Sequence, residues 1–292
     1  MEPHSKLRRA WSLTGGVSAQ VTALEIEQPD GQTRRLVVRQ HGAADLAQNP
    51  HLAAAEYRLL QLLQAHHLPA PAPCYLDLSG QIFPTPVIVV EYVEGTPEEA
   101  PAHLPDLTRQ LATHLARIHT LSAATADLSF LPQQENRVAQ TLQDRPAALD
   151  ATFDERQIRA ILDSLWPLPL RNQAVLLHSD FWPGNILWQE GRLAAIIDWE
   201  DAAVGDPLAD LSNSRLELLW AYGRAAMHDF TRQYQALVPL DVSHLPYWDL
   251  CAALRPIAKI ATWGLDPPTE KRMRARLKWF ISQTFDKLSK GD

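Results

Sequence analysis

The chain is poor in cysteine: Cys74 and Cys251 are the two in 292 residues, far apart and without partnering histidines. That spacing excludes a disulfide framework and a zinc motif. No apolar run approaches transmembrane length, and the stretch from Met1 to Arg9 is too polar for a signal peptide. A membrane partner is therefore not expected, and the cytoplasm is the expected compartment. Basic residues are outnumbered, 27 Lys and Arg against 34 Asp and Glu, for a net charge of −7. Nucleic acid is disfavoured as a partner, because its affinity rests heavily on basic residues that neutralise phosphates. There is no G-x-S-x-G elbow, so a serine hydrolase built on Ser179 or Ser18 ranks far behind other readings. Internal repeats and low-complexity tracts are also missing.

What is present is a soluble, globular composition, 46% hydrophobic and 21% charged. The length suffices for two lobes with a sizeable core. The most informative stretch is 177–201, LHSDFWPGNILWQEGRLAAIIDWED. Apolar residues from Ala174 to Leu177 read as a short buried strand ending at His178. Phe181-Trp182-Pro183-Gly184 breaks the pattern, since Pro fixes φ and Gly supplies unusual angles. Ile186 to Trp188 and Leu193 to Ile197 read as two further strands around a Glu190-Gly191 turn. Asp180, Asn185 and Asp198 then lie at strand ends and in one loop of a single strand–loop–strand hairpin.

Each of the three alone reads as an ordinary turn or cap residue. Their joint order, H-x-D-x4-N, strand, turn, apolar strand, Asp, is far more specific and points to phosphoryl transfer. That chemistry needs an acceptor hydroxyl aligned with a γ-phosphate and divalent metal against the phosphate charge. Asp180 is the candidate base. A free aspartate is a weak base near neutrality, so positioning must supply much of its effect. Asn185 offers a neutral oxygen and Asp198 an anionic one, both hard ligands suited to Mg²⁺.

His178-Ser179-Asp180-x4-Asn185, then Ile196-Ile197-Asp198-Trp199-Glu200-Asp201 and Gly205-Asp206-Pro207-x-x-Asp210-Leu211, resembles the aminoglycoside phosphotransferase family. That resemblance implies a protein-kinase-like α+β fold, bilobal, with a small antiparallel-sheet N-lobe and a mostly helical C-lobe. It implies Asp180 as catalytic base, Asn185 and Asp198 as metal ligands, Asp210 as a buried brace for the catalytic loop, and His178 as a support for it. ATP or GTP with Mg²⁺ would be the cofactors and a small hydroxylated molecule the acceptor: an aminoglycoside-like antibiotic, an amino alcohol, a sugar or a hydroxy acid. A nucleotide-binding pseudokinase without transfer activity is the alternative.

Residues 1–93 would form the nucleotide-binding lobe. In the family pattern the loop around Gly15, Gly16 and Ser18 covers the phosphates, though it matches neither full glycine-loop pattern and reads equally as a hairpin turn. Thr22 to Glu27 and Leu36 to Arg39 read as strands joined by a Pro29-Asp30-Gly31 turn. Arg39 occupies the place where protein kinases carry a phosphate-contacting Lys; a guanidinium binds phosphate oxygens through a planar fork. An exposed edge-strand Arg is the competing reading. Residues 52–65 read as an amphipathic helix that puts Glu56 on the apolar stripe of Leu59, Leu60 and Leu63. A buried carboxylate is rarely left unpaired, so an Arg39–Glu56 ion pair is expected; a helix N-terminal acid is the plainer alternative. After a Pro-rich connector at 68–73, residues 86–90 read as the strand leading to a hinge. Backbone groups there, at Glu91 and Val93, would meet the base.

Residues 94–292 would form the helical lobe with the catalytic hairpin and the acceptor site. Helices are expected over 106–121, 153–165, 207–222, 225–237, 245–263 and 269–288, with 122–150 as loop containing some helix. His119 reads as a core histidine. Glu200, Asp201 and Glu217 could face the acceptor, although surface solubility is the stronger reading of Glu217. Most of the nine tryptophans read as packing.

Overall fold

The computed structural model describes residues 4–13 and 19–290. The candidates Gly15, Gly16 and Ser18 lie outside the described residues. In chain order the elements are β1 (Lys6–Ser12), β2 (Ala19–Glu27), β3 (Thr33–His41), α1 (Ala43–Gln48), α2 (Leu52–Ala65), β4 (Pro73–Asp77) and β5 (Val87–Glu91). Then follow α3 (Leu104–Ile118), α4 (Gln134–Gln143), α5 (Glu155–Leu165), β6 (Val175–Leu177), β7 (Ile186–Gln189), β8 (Arg192–Ile196) and β9 (Ala203–Gly205). The chain closes with α6 (Leu208–Tyr222), α7 (Arg224–Leu237), α8 (Leu245–Ile257) and α9 (Pro267–Lys290).

These elements form two compact units, Met1–Ala100 with Ile186–Glu200, and Pro101–Asn185 with Asp201–Asp292. Residues 94–100 and 186–200 thus belong with the first unit, where the sequence placed them in the second lobe. The single hairpin expected at 177–201 is also corrected. β6 pairs with β9, whereas β7 pairs with β8. The short apolar run Ala203–Gly205 was the unread partner.

In the first unit a five-stranded antiparallel sheet has the order β1-β2-β3-β5-β4. Its two unforeseen strands are its edges. β1, KLRRAWS, is polar and exposed at nearly every position, and β4 starts at a proline. Charge and proline are how sheet edges are kept from pairing further, and they also hide a strand from pattern reading. Against the sheet lies α2, whose Leu59, Leu60 and Leu63 are buried. Each such leucine contributes about 1.5–3 kcal/mol of apolar burial. Glu56 shares that stripe and is buried with it.

The stretch after β5 is anchored to β7. Thr96 N donates to Trp188 O at 2.9 Å, and Trp188 N donates to Thr96 O at 3.1 Å. Gly95 makes the approach possible: its φ is +134°, and a Cβ there would lie 2.6 Å from Trp188 O. A side chain at that position would collide with backbone.

The second unit is helical apart from β6 and β9. α6 forms its centre, with most of its residues buried, polar ones included. Arg215 on α6 donates two parallel hydrogen bonds to Asp249 on α8, both at 3.0 Å and both fully buried. This fork-to-carboxylate pair ties the two helices together. α8 ends soon after Pro256, earlier than the expected 263, and a separate 3₁₀ turn, Ile260–Thr262, follows. Among the described residues no helix is long and apolar enough to cross a membrane.

Candidate functional site

Two clusters of polar side chains gather the predicted residues, one in each unit. In the second unit the loop after β6 has its backbone polar groups taken up one by one, as a buried loop requires. His178 N and Ser179 N donate to the two oxygens of Asp210 on α6, at 2.7 and 2.8 Å. Ser179 O accepts from Arg255 Nη1 at 2.8 Å. Asp180 N donates to His178 Nδ1 at 3.2 Å, and Asp180 O accepts from Asn185 Nδ2 at 3.0 Å. Phe181 O accepts from Ser214 Oγ at 3.0 Å. Asp210, Asn213, Ser214 and Glu217 are spaced to share one face of α6. Three of them brace the loop, Asn213 through Arg255.

These bonds hold Ser179 at φ +67°, a left-handed conformation costly for a non-glycine residue. Ser179 Oγ is buried with no hydrogen-bond partner among the described residues. Asp210 is itself secured by His119 Nε2 at 3.2 Å, whose Nδ1 meets Tyr234 Oη at 2.5 Å. Burial would raise the Asp210 carboxyl, but the His119 hydrogen bond and nearby charges hold it below the usual carboxylate range. His119 is the satisfied core histidine its sequence context suggested.

Asp180 is aimed by both its oxygens. Oδ2 accepts from Asn185 Nδ2 at 3.0 Å, and Oδ1 lies 3.4 Å from Arg255 Nη2. Asn185 spends its amide donors on Asp180, and its Oδ1 takes no hydrogen bond among the described residues. Glu217 is half-buried; burial first, then repulsion from Asp180, push its carboxyl up to about 8, with Arg255 opposing. Arg255 carried no sequence signal. It stands on a helix in which the sequence marked no site residue, and only the fold brings it to Ser179 from 76 positions away.

In the first unit the centre is Arg39 on β3. Its Nη2 donates to Asp198 Oδ1 and to Glu200 Oε2, each at 2.5 Å, and Nη1 lies 3.6 Å from Glu56 Oε1. The exposed-edge reading of Arg39 is thereby corrected: β3 is an inner strand, and the side chain is only 13% exposed. His41, two residues along the same face, lies 3.0 Å from Glu56 Oε2 and 3.7 Å from Glu200 Oε2. Burial alone would lower its pKa, but the Glu200 and Glu56 carboxylates raise it to about 9. Two cations thus face three carboxylates. Asp198 follows β8 with φ +67°, and burial raises its carboxyl against the pull of Arg39. Where a hinge was expected, Glu91 ends β5 with its N–H on Ala72 O at 2.8 Å, and the backbone groups of Val93 bind no other described residue.

The donor sets suit the groups expected of them. Magnesium prefers one or two carboxylate or amide oxygens plus substrate phosphates to an all-protein cage. Among the described residues no three His, Cys, Asp or Glu converge as such a cage. Among the described residues, Asp198 Oδ2 and Asn185 Oδ1 each take no hydrogen bond, as hard-cation ligands would.

An antiparallel sheet with one flanking helix, a helical unit, and a clamped H-x-D-x4-N loop define a protein-kinase-like fold. Residues 12–249 match the model of the phosphotransferase enzyme family, and the chain belongs to that family. A mouse protein named acyl-CoA dehydrogenase family member 10 is 28% identical over 196 residues, 63% of this chain and 18% of that protein. The chain spans 18% to 26% of the length of the acyl-CoA dehydrogenase family relatives it matches first. The GDP complex of aminoglycoside 2'-phosphotransferase-IIIa superposes with a TM-score of 0.64 at 21% identity, covering 98% of this chain and 93% of that one. A thermostable mutant of aminoglycoside phosphotransferase APH(4)-Ia, in ternary complex with AMP-PNP and hygromycin B, gives 0.63 at 18%, covering 95% and 94%.

Proposed function

We propose that this chain transfers the γ-phosphoryl group of ATP or GTP to a hydroxyl of a small molecule. The observation that carries the reading is the aim of Asp180. A flexible loop residue has no need of six backbone hydrogen bonds and a partner on each carboxylate oxygen. A weak base that must meet a hydroxyl in line with a phosphoryl group does.

In this reading Asp180 Oδ orients the acceptor hydroxyl and takes its proton late, as the new P–O bond forms and the bond to the leaving diphosphate breaks. Asn185 and Asp198 would hold Mg²⁺ through their free oxygens; the bound ion offsets phosphate charge. Arg39 would exchange its Asp198 and Glu200 contacts for phosphate oxygens, with Glu56 and His41 keeping its stem in place. Val93 would offer its N–H and C=O to the base beside Glu91, and Gly15, Gly16 and Ser18 would cover the phosphates. The cytoplasm, where both nucleotides are available, is the compartment this reading implies.

Relatives solved with GDP, with AMP-PNP and with hygromycin B support a nucleotide and a small acceptor without choosing either. The acceptor class proposed is broad: aminoglycoside-like antibiotics, amino alcohols, sugars or hydroxy acids. One observation favours a pseudokinase instead, namely that Arg39 is already committed to Asp198 and Glu200. A coupled diphosphate-release screen over the four acceptor classes, with ATP and GTP and with or without Mg²⁺, separates the two. Acceptor-dependent, Mg²⁺-dependent release supports transfer; nucleotide binding with no phosphorylated product supports the pseudokinase.

A further inference from the structure

Arg255 stands in the last turn of α8, one residue before Pro256. One guanidinium nitrogen, Nη1, donates to Ser179 O at 2.8 Å and to Asn213 Oδ1 at 2.7 Å. The other, Nη2, reaches Asp180 Oδ1 at 3.4 Å. The side chain is nonetheless 46% exposed. A solvent-accessible arginine forfeits rotamer freedom by being held so, and exposed ion pairs repay little in stability. Its value must lie elsewhere.

The geometry points to Arg255 as a positioning residue for Asp180, one that fixes the carboxylate from the side opposite Asn185. The inference rests on the phosphotransfer reading and adds a residue to it. Asp210 holds the N–H groups at 178 and 179 but leaves the Ser179 carbonyl without a partner from α6. Arg255 takes that carbonyl, and with it the strained peptide that sets the direction of the Asp180 side chain. The planar fork then lets the same group meet Oδ1. Asn213 keeps the guanidinium in plane from the α6 side. A lysine has three donors on one nitrogen and no planar fork, so it cannot span these partners in the same geometry.

Loss of Arg255 should leave the helices together, because the buried Arg215–Asp249 pair already joins α6 to α8. Positioning and stability are therefore separable. The test is Arg255→Gln and Arg255→Lys, each assayed for kcat, for nucleotide and acceptor KM, and for Tm, with a crystal structure of Arg255→Gln. The inference predicts that kcat falls about 100-fold in Arg255→Gln, with nucleotide KM and Tm unchanged and a smaller fall in Arg255→Lys. It also predicts an Asp180 carboxylate turned away from its wild-type direction in the Gln crystal structure. Wild-type kcat in Arg255→Gln, or an unmoved Asp180, overturns it. So does a kcat loss that comes only with a matching loss of Tm. Because the crystal structure needs no turnover, the inference can fail while wild-type phosphotransfer stands, and it can be read even if that activity is not found.

Discussion

The Arg39 cluster of the first unit and the Asp180 loop of the second are held by opposite means. Around Arg39 the contacts are ionic, between two cations and three carboxylates, and almost no backbone is involved. Around Asp180 they are directed hydrogen bonds to peptide groups, and the one buried carboxylate, Asp210, is spent on two N–H groups. An ionic cluster can trade one partner for another when a phosphate or a metal arrives. A loop with each peptide bonded cannot. In the proposed reading the first unit would adapt to a bound ligand, while the second would keep a fixed aim.

If the second unit depends on fixed aim, Asp210→Ala should do the most harm to folding. It strands two N–H groups and His119 and releases the strained Ser179 peptide, at a cost of about 3–5 kcal/mol. Chemical denaturation measures this, and a cost under about 1 kcal/mol, the level of a surface contact, would break the comparison on that side. Arg39→Met should cost less, about 1.5–3 kcal/mol, because Asp198 and Glu200 keep some solvent exposure and the buried Glu56 still faces His41. Nucleotide affinity should weaken in the same variant. Unaltered affinity would mean that the cluster is only structural.

Two effects of pH sharpen the contrast. His41 has its pKa raised to about 9, so its contribution to stability is complete below about 6.5 and is lost as pH rises through about 9. Glu217 is shifted the same way, because its burial and the nearby Asp180 are only partly offset by Arg255. Between about 4.5 and about 8 the folded chain keeps a proton there that the unfolded chain has released, so stability falls as pH rises across that window. His41→Gln should flatten the upper part of the stability profile and Glu217→Gln the lower. Denaturation at a series of pH values reads both, and unchanged slopes would contradict the assigned groups.

Much of this was legible in sequence, for physical reasons. α2 was read with its observed ends because its leucines fall at helical spacing, and the same spacing buried Glu56 beside Arg39. The Asp180–Asn185 pair is local and motif-bound. What escaped depends on long-range pairing. β6 finds β9 and not β7, which no run of three apolar residues announces. The closest partners of Arg39, Asp198 and Glu200, stand about 160 positions away, whereas helical periodicity could point only to Glu56. Arg255 lay beyond any motif.

The central claim is that Asp180 is the base of a phosphotransferase, aimed by its loop and not needed for nucleotide binding. Asp180→Asn tests it most directly, with turnover and nucleotide Kd measured on the same preparation. Turnover should fall by about 10²–10⁴ while Kd stays at the wild-type value. Turnover that survives the substitution, or a fall matched by lost nucleotide affinity, would contradict it.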